Sequence, residues 1–525
     1  MRSSKVYINY SITDADVAYI KQNKINAVVC YDIRSSENLP SQVEVHFSEE
    51  NRVRGTHEAY RYNDRVINSL LSKIGKIKVN GIDILPAINK LVYWTNYKIG
   101  AIKLTLKENF PDSICYDRTS YFPDTYLKSL LKYFKLFLSN NRNVQKASKV
   151  ELTTINRQYH IGILVNNSFE LQLYRYIIDQ LDPHELVIFH YGNIDFTGSD
   201  IDLNGVELLN LKDFQKETSQ PWINPFRLNK EELSVLNILY KDFKMISREL
   251  NGYECMKACK VKSLLINEGE NQPLRNLLKS VLGEDTIIYN TMNGMKAGEA
   301  QDNDVAFDHW FVWNENMRNN MSVTTGLKKD FLINVGHLAE DAIAHHRFEN
   351  TIQIDTEKLK TKKVITIFSV RGQKQEKKDV FRVIYDLLKS DQTIFVIIKP
   401  HPLENPSDYL IEMNGNENIY LVDEKLKNSK QTVYDLLSLS DLTIVFGSTV
   451  SLESKLFGVE CLSVEYADES LISDVDMDKI KHIRNKEELI ELLLKVRKKS
   501  EQQSMQIDSS MVSNRIIQVL KSNPS

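Results

Sequence analysis

No run in this 525-residue chain is long and apolar enough to span a bilayer. Cysteine is scarce: Cys30, Cys115, Cys255, Cys259 and Cys461 are scattered. Cys255 and Cys259 lie four apart on a predicted helix, with no second pair and no histidine cluster, which argues against a zinc site. Reduced thiols in a cytoplasmic protein are the economical expectation. The net charge is only −3, so there is no basic footprint of a nucleic-acid binder. Met1–Tyr7 runs directly into a strand and lacks the apolar core of a signal peptide. Internal repeats and low-complexity segments are absent. So are the Gly-x-x-x-x-Gly-Lys-Ser/Thr of a P-loop and the Gly-x-Gly-x-x-Gly of a dinucleotide fold.

What is present is the composition of a globular protein, 42% hydrophobic and 26% charged. A chain of this length exceeds one hydrophobic core, so two or three domains are expected. Residues 1–150 read as an N-terminal α/β extension. Strands are predicted at Lys5–Tyr10, Asn26–Tyr31 and Gln42–Phe47, with a helix over 13–22 and a long helical region over about 55–140. Its aromatics, Tyr93, Trp94, Tyr97, Tyr121, Tyr126, Tyr133 and Phe134, suit an acceptor-binding or membrane-facing surface, or a core face at helical spacing. Residues 140–146 read as a polar linker.

A regular alternation of strands and helices fills 155–340, then resumes over 360–525 after a charged stretch at 341–362 read as a linker. Such alternation predicts parallel sheets. The fold class is therefore α/β, with two Rossmann-like domains in series and a cleft between their strand ends. Cys461–Val464 is predicted as the final strand, with helices over 486–498 and 508–521.

Three strand ends carry the chemistry. Ile394–Ile398 is apolar and stops at Lys399-Pro400-His401-Pro402, where two prolines fix the backbone around one imidazole. Leu442–Phe446 leads to Gly447-Ser448-Thr449, two hydroxyls at a helix start that suit an anion. Val261–Ile266 leads to Asn267-Glu268-Gly269, a carboxylate beside a glycine that admits a substrate. Ligands of open α/β sheets bind at such carboxyl ends. Glu268 would deprotonate an acceptor hydroxyl, and His401 would stabilise or protonate a departing phosphate. Each position also has a plain structural use: Glu268, Ser448 and Thr449 suit helix capping, and His401 suits a proline-rich turn.

The ordered set Asn267-Glu268-Gly269, Lys399-Pro400-His401-Pro402 and Gly447-Ser448-Thr449, with Glu453 and Gly458 beyond, resembles the bacterial sialyltransferases and related capsule and Kdo transferases of the GT-B fold. The resemblance covers about 155–520. It implies Glu268 as general base and His401 at the phosphate of CMP. It further implies Lys399, Ser448 and Thr449 as phosphate contacts, Ser369, Arg371 and Gly372 as the first loop of the donor domain, and Glu453 near the ribose. Asn267, Gly269 and Asn293 would line the acceptor side. An inverting reaction without metal or other cofactor follows, with a CMP-sugar as co-substrate and a glycan or lipid-linked glycan as acceptor. Three positions depart from the family pattern: Asn267 replaces an acidic residue, Met292-Asn293-Gly294 lacks the histidine of related capsule enzymes, and Gly336-His337-Leu338 stands where a Gly-Asn-Pro-like segment is expected.

Two alternatives stay open: a CDP-polyol phosphotransferase of the teichoic-acid type, and a non-catalytic glycan-binding or scaffold protein. His190, His337, His345 and His346 read as structural or exposed. The lysine-rich stretches 357–363, 374–378 and 492–499 read as solvated faces that together offer attraction to an anionic membrane.

Overall fold

The computed structural model describes residues 5–9, 14–30, 39–40, 42–47, 65–79, 81–84, 91–92, 102, 105–106, 108–110, 114–117, 126–141, 158–192, 194, 196, 201–214, 221–267, 273–292, 307–370, 374–401, 404, 416–426, 429–464, 480–495 and 511–522. The strands are β1 (Lys5–Asn9), β2 (Ala27–Cys30), β3 (Glu44–Phe47), β4 (Lys78–Val79), β5 (Ile82–Asp83), β6 (Ile114–Asp117), β7 (Ile161–Val165), β8 (Leu186–His190), β9 (Glu207–Asn210), β10 (Ser263–Asn267), β11 (Ile287–Thr291), β12 (His309–Val312), β13 (Leu332–Asn334), β14 (Lys363–Phe368), β15 (Ile394–Lys399), β16 (Ile419–Leu421), β17 (Leu442–Val445), β18 (Glu460–Val464) and β19 (Ile480–Ile483). Helices used below are α1 (Asp14–Gln22), α2 (Tyr126–Asn141), α3 (Lys230–Ala258), α4 (Ala339–Ala344), α5 (Lys374–Ser390), α6 (Lys430–Leu439), α7 (Val450–Leu456) and α8 (Val512–Lys521).

Two parallel sheets in series form the body, as the alternating sequence predicts. The first runs β13-β12-β11-β10-β7-β8-β9 and the second β16-β15-β14-β17-β18-β19. A smaller parallel sheet, β3-β2-β1-β6, lies in the N-terminal segment. Side chains alternate across the seven-stranded sheet. Ile161, Ile163, Val165, Leu186 and Ile188 pack on one face with Val512, Ile516 and Leu520 of α8. Leu164, Val187, Phe189, Leu264 and Ile266 pack on the other, against Leu239, Tyr240 and Phe243 of α3. Strands covered on both faces need apolar residues at nearly every position, which is why they read as continuous apolar runs. The same apolar cluster continues through Ile352, Ile354 and Leu359 to Phe395, Ile397 and Val445 of the six-stranded sheet.

Several expectations are corrected. The region 55–140 is not one helical stretch: a β4–β5 hairpin and strand β6 interrupt it, and β6 pairs with β1. Gly81 adopts φ +85° between the paired Val79 and Ile82, in an Asn80-Gly81 context that favours tight hairpins. Asn140 and Asn141 are not linker but the last residues of α2, and Asn140 Nδ2 donates to Tyr240 O at 2.7 Å. The stretch 341–362 is not irregular: it holds the end of α4 and a helical turn at Thr356–Leu359, and it buries Ile352 and Ile354. Cys461–Val464 is not the last strand, because β19 extends the sheet beside it.

Helix α3 has 29 residues, about 43 Å at 1.5 Å per residue, against about 17 Å for the five-residue strands. Its C-terminal end lies at the start of the sheet, where Tyr159 N donates to Cys259 O. Tyr191, just past β8, donates its hydroxyl to Glu249. The stretch from Lys230 to Glu249 therefore extends past the carboxyl edge of the strands.

The last helix belongs to the first sheet. The buried Asp341 carboxylate accepts from Val512 N at 2.8 Å and Ser513 N at 2.7 Å, and Met511 supplies no side-chain cap of its own. Gly336 has φ +97°, and a Cβ there would lie 2.6 Å from Arg515 Nη2. Asp341→Ala removes two charge-assisted bonds to buried N–H groups and should cost about 2–3 kcal/mol. Urea titration against the parent measures it, and a loss below half a kcal/mol would remove the cap from the account.

Candidate functional site

Register brings the predicted donor-side residues to one edge. Phe368 of the central strand β14 pairs with Lys399 on one side and Val445 on the other. The residues that follow each strand, Ser369, His401 and Ser448, therefore stand together past the carboxyl edge. Sequence order reverses here: β14, β15 and β16 run outward one way, then the chain crosses back to β17, β18 and β19. The seven-stranded sheet reverses likewise between β7 and β10, and Asn267 ends β10 at that point. Crevices at such switch points are where α/β sheets accommodate ligands.

Each donor-side residue is held by its surroundings. Buried Ser369 donates its N–H to Lys399 O at 3.0 Å. His401 is half-buried, and its N–H donates to Glu404 Oε2 at 3.0 Å. Lys377 of α5 grips Glu404 Oε1 at 2.5 Å and Val370 O at 2.9 Å, tying the loops after β14 and β15 together. Lys377 thus leaves the solvated face expected for 374–378. Gly447 takes φ +63° after β17, and half-buried Ser448 and Thr449 lead into the seven-residue α7. Ser448 Oγ accepts from Val450 N at 3.4 Å. Arg371, Gly372, Glu268, Gly269, Asn293 and the aromatics Tyr93, Trp94, Tyr97 and Tyr121 lie outside the described residues.

Glu453 of α7 is buried. Its Oε1 accepts from Lys430 Nζ at 2.7 Å, while Oε2 is buried and has no hydrogen-bond partner among the described residues. Lys399 lies on the same side of the sheet. Burial pulls its ammonium down to about 8, helped by the charge of Lys430 and opposed by that of Glu453. His337 completes this group from the other sheet: it follows β13 and feels both Glu453 and Lys430. Its ring keeps some exposure at the surface, yet crowding by protein atoms lowers its pKa to about 4. Nδ1 accepts from Ala339 N at 3.1 Å, so the neutral ring carries its proton on Nε2. Trp313 holds the ring edge-on at 4.2 Å. His337 thus presents a neutral ring toward Glu453 and Lys430 of the six-stranded side. Its signal in the sequence was its place after a glycine at a strand end.

On the seven-stranded side, Asn267 is buried. Its Oδ1 accepts from Thr291 Oγ1 at 3.1 Å, and its Nδ2 has no partner among the described residues. Arg275, unremarked in the sequence, is buried at the same switch point beside Asn166 and Tyr191. Its only sequence signal is a position seven residues after Glu268.

No family model and no curated protein matches the chain. Among solved structures it is similar to the UDP-GlcNAc 2-epimerase from Methanocaldococcus jannaschii, at 13% identity over 69% of this chain and 99% of that one, with a TM-score of 0.46. The UDP-GlcNAc 2-epimerase from Neisseria meningitidis bound to UDP-GlcNAc has 15% identity, coverages of 69% and 100%, and a TM-score of 0.45. A variant of the Wall Teichoic Acid Polymerase TagF with CDPG has 13% identity, coverages of 71% and 87%, and a TM-score of 0.37. The fold assignment rests on the strand order above.

Lys399 gives the site a pH signature. The ordinary lysine value is 10.5, and the native value is about 8. Below pH 8 both states are protonated and the native state bears the full cost of a buried ammonium. Between pH 8 and 10.5 the unfolded chain binds the extra proton, so this contribution to stability rises with pH. Lys399→Met should therefore be more stable than the parent at pH 7, by about 3 kcal/mol at most, with the gap closing toward pH 10.5. Denaturant titrations across that range test it, and a gap that does not narrow contradicts it.

Proposed function

We propose that the chain is an inverting glycosyltransferase that moves an acidic sugar, sialic acid or a Kdo-like sugar, from CMP to a bacterial surface-glycan acceptor. The observation that carries this reading is the register that gathers Lys399, His401, Ser369 and Ser448 at one switch point. Three polar side chains and a cation at the edge of a parallel sheet suit the phosphate of a departing nucleotide. Glu453 Oε2, buried and unpartnered among the described residues, suits a ribose hydroxyl. In the proposed step Glu268 takes the proton from the acceptor hydroxyl. That oxygen attacks the anomeric carbon as the bond to the phosphate oxygen breaks, and CMP leaves with the electron pair. His401 hydrogen-bonds the phosphate as its charge grows. The step uses no metal and no cofactor in this reading, and the protein works at the inner face of the membrane.

One observation favours a second reading. Lys430 stands near Lys399, and a second phosphate could share its ammonium with Glu453. A nucleoside-diphosphate donor, including a CDP-polyol whose transfer leaves a phosphodiester in the product, would use both.

A thermal-shift panel of CMP, CDP, UDP and GDP tests for a cytidine-nucleotide site, because a ligand that binds only the native state raises its apparent stability; the phosphate content of the product separates the two readings, since CMP leaves in both. CMP should stabilise the parent, and His401→Ala and Ser448→Ala should weaken that effect while Glu268→Ala leaves it intact. Turnover should fall about a hundredfold or more in His401→Ala and in Glu268→Ala. Phosphate retained in the product would move the assignment to the second reading. Full activity in His401→Ala would remove this site from the mechanism.

A further inference from the structure

Helix α2 has apolar residues on two opposite faces. Leu130 and Tyr133 pack toward α3, where Tyr133 and Tyr240 rings lie 5.0 Å apart. Leu127, Leu131 and Leu138 point away from the protein and are 63%, 61% and 52% exposed. With half-buried Phe134 they fall at spacings of four, three and four, which is one continuous stripe along a helix. The stripe broadens sideways. Phe134 lies 6.1 Å from Trp222 and 6.2 Å from Phe226, whose side chains are 54% and 67% exposed. An exposed patch of this kind marks an interaction surface.

The patch is flanked by cations. The α2 sequence contains Lys128, Lys132 and Lys135 and no acidic residue, and Lys132, Lys135 and Arg227 are exposed. Glu231 and Glu232 of α3 face Arg65 at 3.8 Å and Lys73 at 2.8 Å. An isologous dimer through this stripe would set like charges against each other. Leucine, phenylalanine and tryptophan ringed by cations match the boundary of an anionic bilayer, where apolar side chains enter the acyl region and lysines meet headgroups.

The patch lies toward the open side of the site. Asn237 Nδ2 donates to Ser129 O at 2.9 Å, so α2 rides on the part of α3 that projects beyond the strand ends. From Glu249, level with the end of β8, to Lys230 is about 28 Å of helix at 1.5 Å per residue. We infer that the outer face of α2, with Trp222 and Phe226, docks the protein on an anionic membrane surface, with the carboxyl edge of the seven-stranded sheet turned toward the bilayer. The lysine stretches 357–363, 374–378 and 492–499 are not needed for this contact. Docking stands apart from the proposed chemistry, since it is read without substrate.

The test is co-sedimentation of the full chain with phosphatidylcholine vesicles, with and without phosphatidylglycerol. The parent should bind the phosphatidylglycerol vesicles and release as salt is raised. Leu131→Glu with Leu138→Glu should weaken binding by about tenfold or more, as should Lys132→Glu with Lys135→Glu. All four side chains are on the exposed side, and unchanged circular dichroism and melting temperature show that the variants fold. No parent binding, or binding indifferent to the leucine variant, overturns the inference. So does a concentration-dependent dimer of the parent that Leu131→Glu abolishes, which would make a second copy the occupant.

Discussion

The buried carboxylate of Asp341 governs where much of the molecule lies. By accepting from Val512 and Ser513 it fixes the start of α8 on the face of the seven-stranded sheet. A buried anion left without those two donors would be costly, so the cap and the helix are mutually dependent. The same short segment does three other jobs. Gly336 gives α8 room to approach, Glu340 Oε1 accepts from His337 N at 2.7 Å, and His337 reaches toward Glu453 and Lys430. One turn of chain therefore anchors the end of the protein and aims an imidazole at the other sheet.

That junction also brings several ionisable groups together. Lys399, Lys430, Glu453 and His337 come from four different segments, β15, α6, α7 and the turn after β13. Burial drives Lys399 and His337 toward their neutral forms, and the single carboxylate can compensate only part of that.

Much of the architecture was legible because strands buried on both faces are written as unbroken apolar runs. Ile161–Val165, Ile394–Lys399 and Leu442–Val445 are examples whose ends then mark the sheet edges. Periodicity fails where elements are short or partner-dependent. The two-residue strands β4 and β5 carry no period, β6 is recognisable only through its pairing with β1, and β19 reads Ile-Lys-His-Ile with little apolar content. At the site, His401 and Ser448 were visible because prolines and a glycine mark the backbone around them. His337, Arg275 and Lys430 were not, because their roles come from neighbours on other elements: His337 and Glu453 differ by 116 positions.

The return of α8 to the first sheet orders events in time. Ser263 Oγ donates to Leu520 O across 257 positions, and Gln180 Nε2 donates to Ser513 Oγ across 333. Until those late residues leave the ribosome, Ile161, Ile163, Ile188 and Leu265 have only the part of their cover on that face that Leu171, Tyr174, Ile177 and Ile178 supply. A half-made chain therefore carries an adhesive parallel sheet for the whole time that the second sheet is being synthesised, the kind of exposure that chaperones exist to shield. Proteolytic loss of the last dozen described residues would return a finished molecule to that condition.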